Sequence, residues 1–127
     1  MLPALQLAGY QYEQQSCIGR VMGDRPYRTD LLVHDRGSGR RIVVSLKWQQ
    51  VAGTAEQKIP FEVIALLELL ESGECDEVYL VLGGTGWTPQ LREFYRSGGL
   101  CRFMPEAKRV RIVGLEEFIK LVNAHRL

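Results

Sequence analysis

Three strand-forming runs stand close together in the first half of the chain, separated by turns too short to hold a crossover. They cover Tyr10 to Gly19, Tyr27 to His34 and Arg41 to about Lys47. Gly23-Asp24-Arg25-Pro26 and Asp35-Arg36-Gly37-Ser38-Gly39 supply the turn chemistry between them. Parallel neighbours need a connection of a dozen residues or more, so these strands must form an antiparallel meander.

After the third strand the period changes. Thr54 followed by Gln57 is a capping-box pattern, and Ile59, Val63, Leu66, Leu67 and Leu70 then recur at helical spacing up to Gly73. Pro60 falls inside this pattern and should kink the helix or delay its regular part. "EVYLVLG" reads as a buried strand, "TPQLREFYRSG" as a helix, "RVRIV" as a short strand and "LEEFIKLVNAHR" as a closing helix. Met1 to Leu7 make at most a short helix before Gly9. With 127 residues and no repeat or linker, the expectation is one α/β domain spanning 1–127, a mixed sheet flanked by helices.

Composition excludes little. A formal net charge of +1 neither demands nor forbids a nucleic-acid partner, because a basic patch can be local. Arg20, Arg25, Arg28, Arg40 and Arg41 gather around the meander turns, as a solvated rim or as contacts to a nucleic-acid backbone. No apolar run is long enough to cross a membrane and no charged-then-apolar leader opens the sequence. Cys17, Cys75 and Cys101 fit neither a zinc site nor a disulfide framework, so reduced thiols in a cytoplasmic protein are expected.

The end of the third strand carries the chemistry. In "VVSLKWQQVAGTAEQK", Ser45, Lys47 and Gln49 share one face while Val44, Leu46 and Trp48 share the other. Asp30 lies on the neighbouring strand among Leu31, Leu32 and Val33, an expensive place for a carboxylate without a partner. The helix that follows brings Glu56 and Glu62 towards the same end of the sheet. Carboxylates and a lysine converging there can bind a divalent metal and stabilise charge on a phosphate. A cross-strand ion pair and a glutamate favoured by a helix dipole would also produce this pattern.

An Asp on the second strand, S-x-K on the third and a helix with an inward Glu resemble the PD-(D/E)XK nuclease superfamily. "SLKWQQVAGTAEQKIPFEVIALLE" with "LGGTGW" is similar to a group of small bacterial proteins classed with these nucleases. The resemblance implies a restriction-endonuclease-like αβββαβ core and a Mg²⁺-dependent endonuclease acting on DNA, with Mn²⁺ able to substitute. It implies Asp30 as the motif aspartate, although Thr29 replaces the proline, and Lys47 as the motif lysine. Ser45 replaces the second acidic residue, and some restriction enzymes with S-x-K take the missing carboxylate from the following helix. Glu62 is nearer the usual spacing and Glu56 is better aimed at the sheet; Glu56 is preferred, giving Asp30 and Glu56 as metal ligands. Gln49 would position nucleophile or substrate. The family's first helix often carries a further acid, for which Glu13 is the candidate here.

The shortened first helix leaves Leu5, Leu7 and Tyr10 with little expected cover, which together with the two strands of a duplex suggests a homodimer. Ser45 in place of an acid also supports a different class, a catalytically silent nucleic-acid-binding or assembly module. Other signals are weaker. "GGTG" before Trp87 lacks the third glycine of a dinucleotide fingerprint and reads as a tight turn. Trp48 and Trp87 read as packing residues, and His34 and His125 lack ligand spacing.

Overall fold

The computed structural model describes residues 1–51 and 53–127. A short helix α1 (Leu2–Leu7) leads into β1 (Gln11–Val21), β2 (Arg25–His34) and β3 (Arg41–Trp48). Then follow α2 (Ile59–Glu71), β4 (Glu77–Gly83), α3 (Pro89–Arg96), β5 (Val110–Gly114) and α4 (Leu115–Asn123). The sheet runs β1-β2-β3-β4-β5, with β1, β2 and β3 antiparallel and β3, β4 and β5 parallel. This is the expected mixed α/β sheet, with a restriction-endonuclease-like core.

Both faces of the sheet are covered. Val43, Leu80 and Leu82 pack with Ile59, Val63 and Leu66 of α2 on one face. On the other, Val44, Tyr79 and Val81 pack with Leu5 of α1 and Phe118 and Val122 of α4. Strands buried on both sides read as continuous apolar runs, which is why "EVYLVLG" shows no alternation. No helix among the described residues is long and apolar enough to cross a membrane.

Several expectations change. Pro26 lies within β2, at its edge, rather than in the preceding turn. The Thr54 side chain makes no cap bond; Ala55–Lys58 form a 3-10 turn, closed by Gln57 N–H donating to the Thr54 carbonyl at 3.1 Å. Pro60 has no N–H to give to a carbonyl four residues back, so the regular helix begins at Ile59, where the first turn needs no such donor. Leu5 and Tyr10 are buried under α4, so the cover expected from a partner comes from the chain itself. Leu7 alone of the three is exposed. Trp48, expected in the core, is 54% exposed, whereas Trp87 is buried and donates its indole N–H to the Gly83 carbonyl.

Candidate active site

Between β2 and β3 the ladder pairs His34 with Arg41 through to Leu31 with Val44 and then stops. Beyond it two side chains take over. Thr29, fully buried, directs its hydroxyl at the carbonyls of Leu31 (2.8 Å) and Val44 (3.2 Å). The Asp30 carboxylate accepts the Leu46 N–H through Oδ2 at 2.7 Å, a charge-assisted bond that replaces the next rung. Beyond the last backbone pair, side chains hold the two strands together. Asp30 is thereby fixed, and among the described residues Oδ1 has one hydrogen-bond partner, Gln15 Nε2 at 3.5 Å.

Gln15 lies opposite Asp30, between the pairs Gln14–Leu31 and Ser16–Thr29. Its φ of +50° is left-handed, a conformation that non-glycine residues rarely hold inside a strand.

Glu62 approaches from the first turn of α2. Its Oε1 accepts hydrogen bonds from the Tyr27 hydroxyl and from Ser45 Oγ at 3.2 Å, and its Oε2 lies 3.4 Å from Lys47 Nζ. The Glu62 side chain is 12% exposed and that of Lys47 30%. A carboxylate so enclosed needs those three donors. Burial, and then the charge and hydrogen bond of Glu62, push the Tyr27 phenol well above its ordinary value, so it stays protonated and donates.

Adjacent residues of β3 therefore hold the two acids: Ser45 through its hydroxyl for Glu62, and Leu46 through its backbone N–H for Asp30. The Tyr27 phenol feels the charge of both carboxylates. Ser45 occupies the position of an acid and instead orients one delivered by the helix.

The structure brings Asp30, Ser45, Lys47 and Glu62 together and directs Glu56 and Gln49 elsewhere. Glu56 sits in the 3-10 turn before the helix, off the α2 stripe. Its carboxylate accepts the Thr88 N–H (3.0 Å) and hydroxyl (2.9 Å) at the start of α3, and its own carbonyl takes the Tyr95 hydroxyl. Gln49 is buried as a clamp: Nε2 donates to the Gly86 carbonyl and Oε1 accepts the Glu56 N–H. Glu56 was preferred as the metal-site acid; the regular helix begins beyond it, at Ile59, and its carboxylate faces α3 rather than Ser45 and Lys47. Glu13 is bound to His34 at 3.0 Å and is likewise not at the site. Tyr27 and Gln15 were missed, although the meander register places Gln15 against Asp30.

The donor set suits a hard divalent ion. Mg²⁺ usually takes one or two carboxylates from protein and fills its octahedron with water and phosphate. Asp30 and Glu62 would be that pair, and among the described residues no three or more His, Cys, Asp or Glu side chains gather as an all-protein cage.

No curated protein matches the sequence. Among solved structures, a protein of unknown function, AF1548, aligns with 8% identity and a TM-score of 0.49, over 88% of this chain and 53% of its own. SfsA of Pyrococcus furiosus, solved in complex with Ca²⁺, aligns with 17% identity and a TM-score of 0.46, over 86% and 49%. The chain thus spans about half the length of these two proteins. The profile of the PD-(D/E)XK nuclease superfamily domain matches residues 2–126, nearly the whole sequence, and the chain belongs to that superfamily.

Proposed function

We propose that the chain is a divalent-metal-dependent phosphodiesterase that cleaves DNA, with Asp30 and Glu62 as the metal-holding acids. The observation that carries this reading is the cluster of Asp30, Glu62 and Lys47 at one end of β3, each held by a named partner. Bound Mg²⁺, or Mn²⁺ in its place, would polarise the scissile phosphate and lower the pKa of a coordinated water.

The chain's own residues do the rest. Lys47 Nζ carries three N–H donors; one faces Glu62, and the others can meet the charge that develops on a phosphate oxygen. Tyr27 and Ser45 fix the Glu62 carboxylate, so its orientation is set before substrate arrives. Gln15 stands beside Oδ1 of Asp30 as a neutral donor.

The test is cleavage of plasmid and branched DNA with Mg²⁺ or Mn²⁺, comparing the wild type with Lys47→Ala and Glu62→Gln. Metal-dependent cleavage that both substitutions abolish is the expected result; intact substrate under every condition would remove the reading. A second reading, a silent nucleic-acid-binding module, draws on the fact that both Glu62 oxygens already have protein partners. It predicts DNA binding indifferent to metal and to Asp30→Asn. Cutting both strands of a duplex calls for two sites, so the proposal includes pairing of two copies. A mass of 14.4 kDa by light scattering at high protein concentration would exclude that part.

A further inference from the structure

Lys47 and Trp48 are consecutive on β3 and project to opposite faces of the sheet. On the Trp48 side a crevice of about 730 Å³ opens at the C-terminal ends of β3, β4 and β5, between the start of α4 and Arg92 and Arg96 of α3. Its walls include the Trp48 ring, Arg92, Arg96 and Lys120. Crevices outside the carboxyl ends of parallel strands are the usual ligand sites of open α/β sheets.

The charges in this crevice are unbalanced in a specific way. Arg96 has a partner, Glu117, at 3.3 Å. Among the described residues, Arg92 and Lys120 have no carboxylate within ion-pair distance. Arg92 is half-buried, and the fold makes room for it: a Cβ on Gly114 would lie 2.9 Å from its guanidinium Nη2. A guanidinium seated there with no acid to meet it is an incomplete electrostatic arrangement. Beside it an indole ring, 54% exposed, rests against Gly83, where a Cβ would come within 2.5 Å of the ring. An anchored aromatic face next to unpaired cations suits alternating bases and phosphates, the pattern of single-strand binding surfaces.

We infer that this crevice binds a single-stranded stretch of DNA continuous with the strand held at Lys47, with Trp48 stacking a base and Arg92 and Lys120 meeting its phosphates. The inference rests on the DNA-cleaving reading of the Asp30–Glu62 site and narrows its substrate to DNA with a single-stranded end or branch. Lys47 and Trp48 are consecutive, so both sites lie at the same end of β3.

The two readings fail separately, because this one is measured without metal. Titrate the protein in EDTA with a short single-stranded oligonucleotide and with a blunt duplex of equal length, following tryptophan fluorescence. Trp87 is buried, so Trp48 reports. Single strands should quench the signal and bind about tenfold more tightly than duplex, and Arg92→Ala or Lys120→Ala should each weaken that binding about tenfold. Glu116, also on the wall, has no ion-pair partner among the described residues, so Glu116→Gln should tighten binding, a gain that misfolding cannot imitate. Single-strand affinity unchanged in all three variants, or equal affinity for duplex, would overturn the inference. Loss of metal-dependent cleavage with intact single-strand binding would count against the cleavage site alone.

Discussion

The two sides of the end of β3 solve opposite electrostatic problems. On the α2 side, Glu62 is enclosed by three donors and Asp30 is tied to a backbone N–H, so every charge has a partner before any ligand arrives. On the α4 side, among the described residues, Arg92 and Lys120 have no carboxylate within ion-pair distance although Glu116 shares the wall, and the aromatic ring stands open. A closed network fixes geometry, which is what transition-state stabilisation requires. An open set of cations offers attraction without fixed orientation, which suits a flexible polyanion. One strand thus presents a preorganised site on one face and a receptive one on the other.

The comparison is tested most severely on the closed side. Asp30→Asn or Lys47→Ala should lower metal-dependent cleavage by about 10²–10³-fold, the usual cost of one such electrostatic group. Single-strand binding in EDTA should stay within about twofold, because the phosphate contacts proposed for the crevice use other residues. Rate assays on a branched substrate and metal-free titrations read the two effects separately. Equal loss of both would show that the two sides form one site.

Gly84 joins the two sides. The β3–α2 and β4–α3 loops lie against each other: Gly86 N–H donates to the Gln49 carbonyl at 2.7 Å, and Gln49 N–H to that of Gly83 at 3.0 Å. Gly84 has a φ of +89°, and a Cβ there would lie 2.4 Å from the Gln49 carbonyl oxygen. Gly84→Ala therefore combines a left-handed backbone penalty with a backbone clash and should cost more than about 2 kcal/mol. Chemical denaturation checks the cost, and cleavage and single-strand binding should fall together.

The meander, the helix order and the buried β4 were legible in the sequence because short turns and periodicity determine them locally. Asp30, Ser45 and Lys47 converged as expected, since strand alternation and hairpin register fix their positions. Which helix-side glutamate faces Ser45 and Lys47 was not legible. It depends on where α2 becomes regular, and the effect of Pro60 and the ties from Glu56 to Thr88 lie beyond local pattern. "GGTG" was readable as a turn, but its purpose was not: the glycines permit contact with a loop 35 residues earlier in the chain, as the Gln50–Thr85 bonds also show. Trp48 was misjudged because it is the last residue of β3, where the ring lines an open crevice beside α3 and α4.

Tyr27→Phe should have a smaller effect, about tenfold on cleavage, by freeing Glu62 Oε1 from its phenol donor. Its pH signature is distinct. The folded state holds the Tyr27 phenol above its ordinary value of 10.0, and burial pushes the Cys75 thiol from 9.0 up to about 11. Both groups are neutral in either state at low pH; as pH rises, the unfolded chain ionises them first and gains stability. Wild-type stability should therefore fall as pH climbs from about 9 to 11, Cys75 acting first and Tyr27 from about 10. Removing the phenol should flatten the upper part of that fall, measured by denaturant midpoints across the range. An unchanged slope would mean that burial and Glu62 do not hold Tyr27 neutral in the folded state.

The smallest expected effect separates the two helix-side glutamates. Glu56→Gln keeps one acceptor for Thr88 but loses the second, so a stability loss of about 1 kcal/mol is expected. Because Glu56 is committed to α3, cleavage should stay within about twofold and Mg²⁺ should still raise the melting temperature, as any ligand of the folded state does. Glu62→Gln should abolish most of that Mg²⁺-induced rise, since it removes one of the two carboxylates proposed to hold the ion. Glu62 is bridged to Lys47 and Ser45 on the same strand that fixes Asp30, whereas Glu56 has no such link. A melting rise lost in Glu56→Gln and kept in Glu62→Gln would reverse the assignment and require the loop between β3 and α2 to rearrange when metal binds.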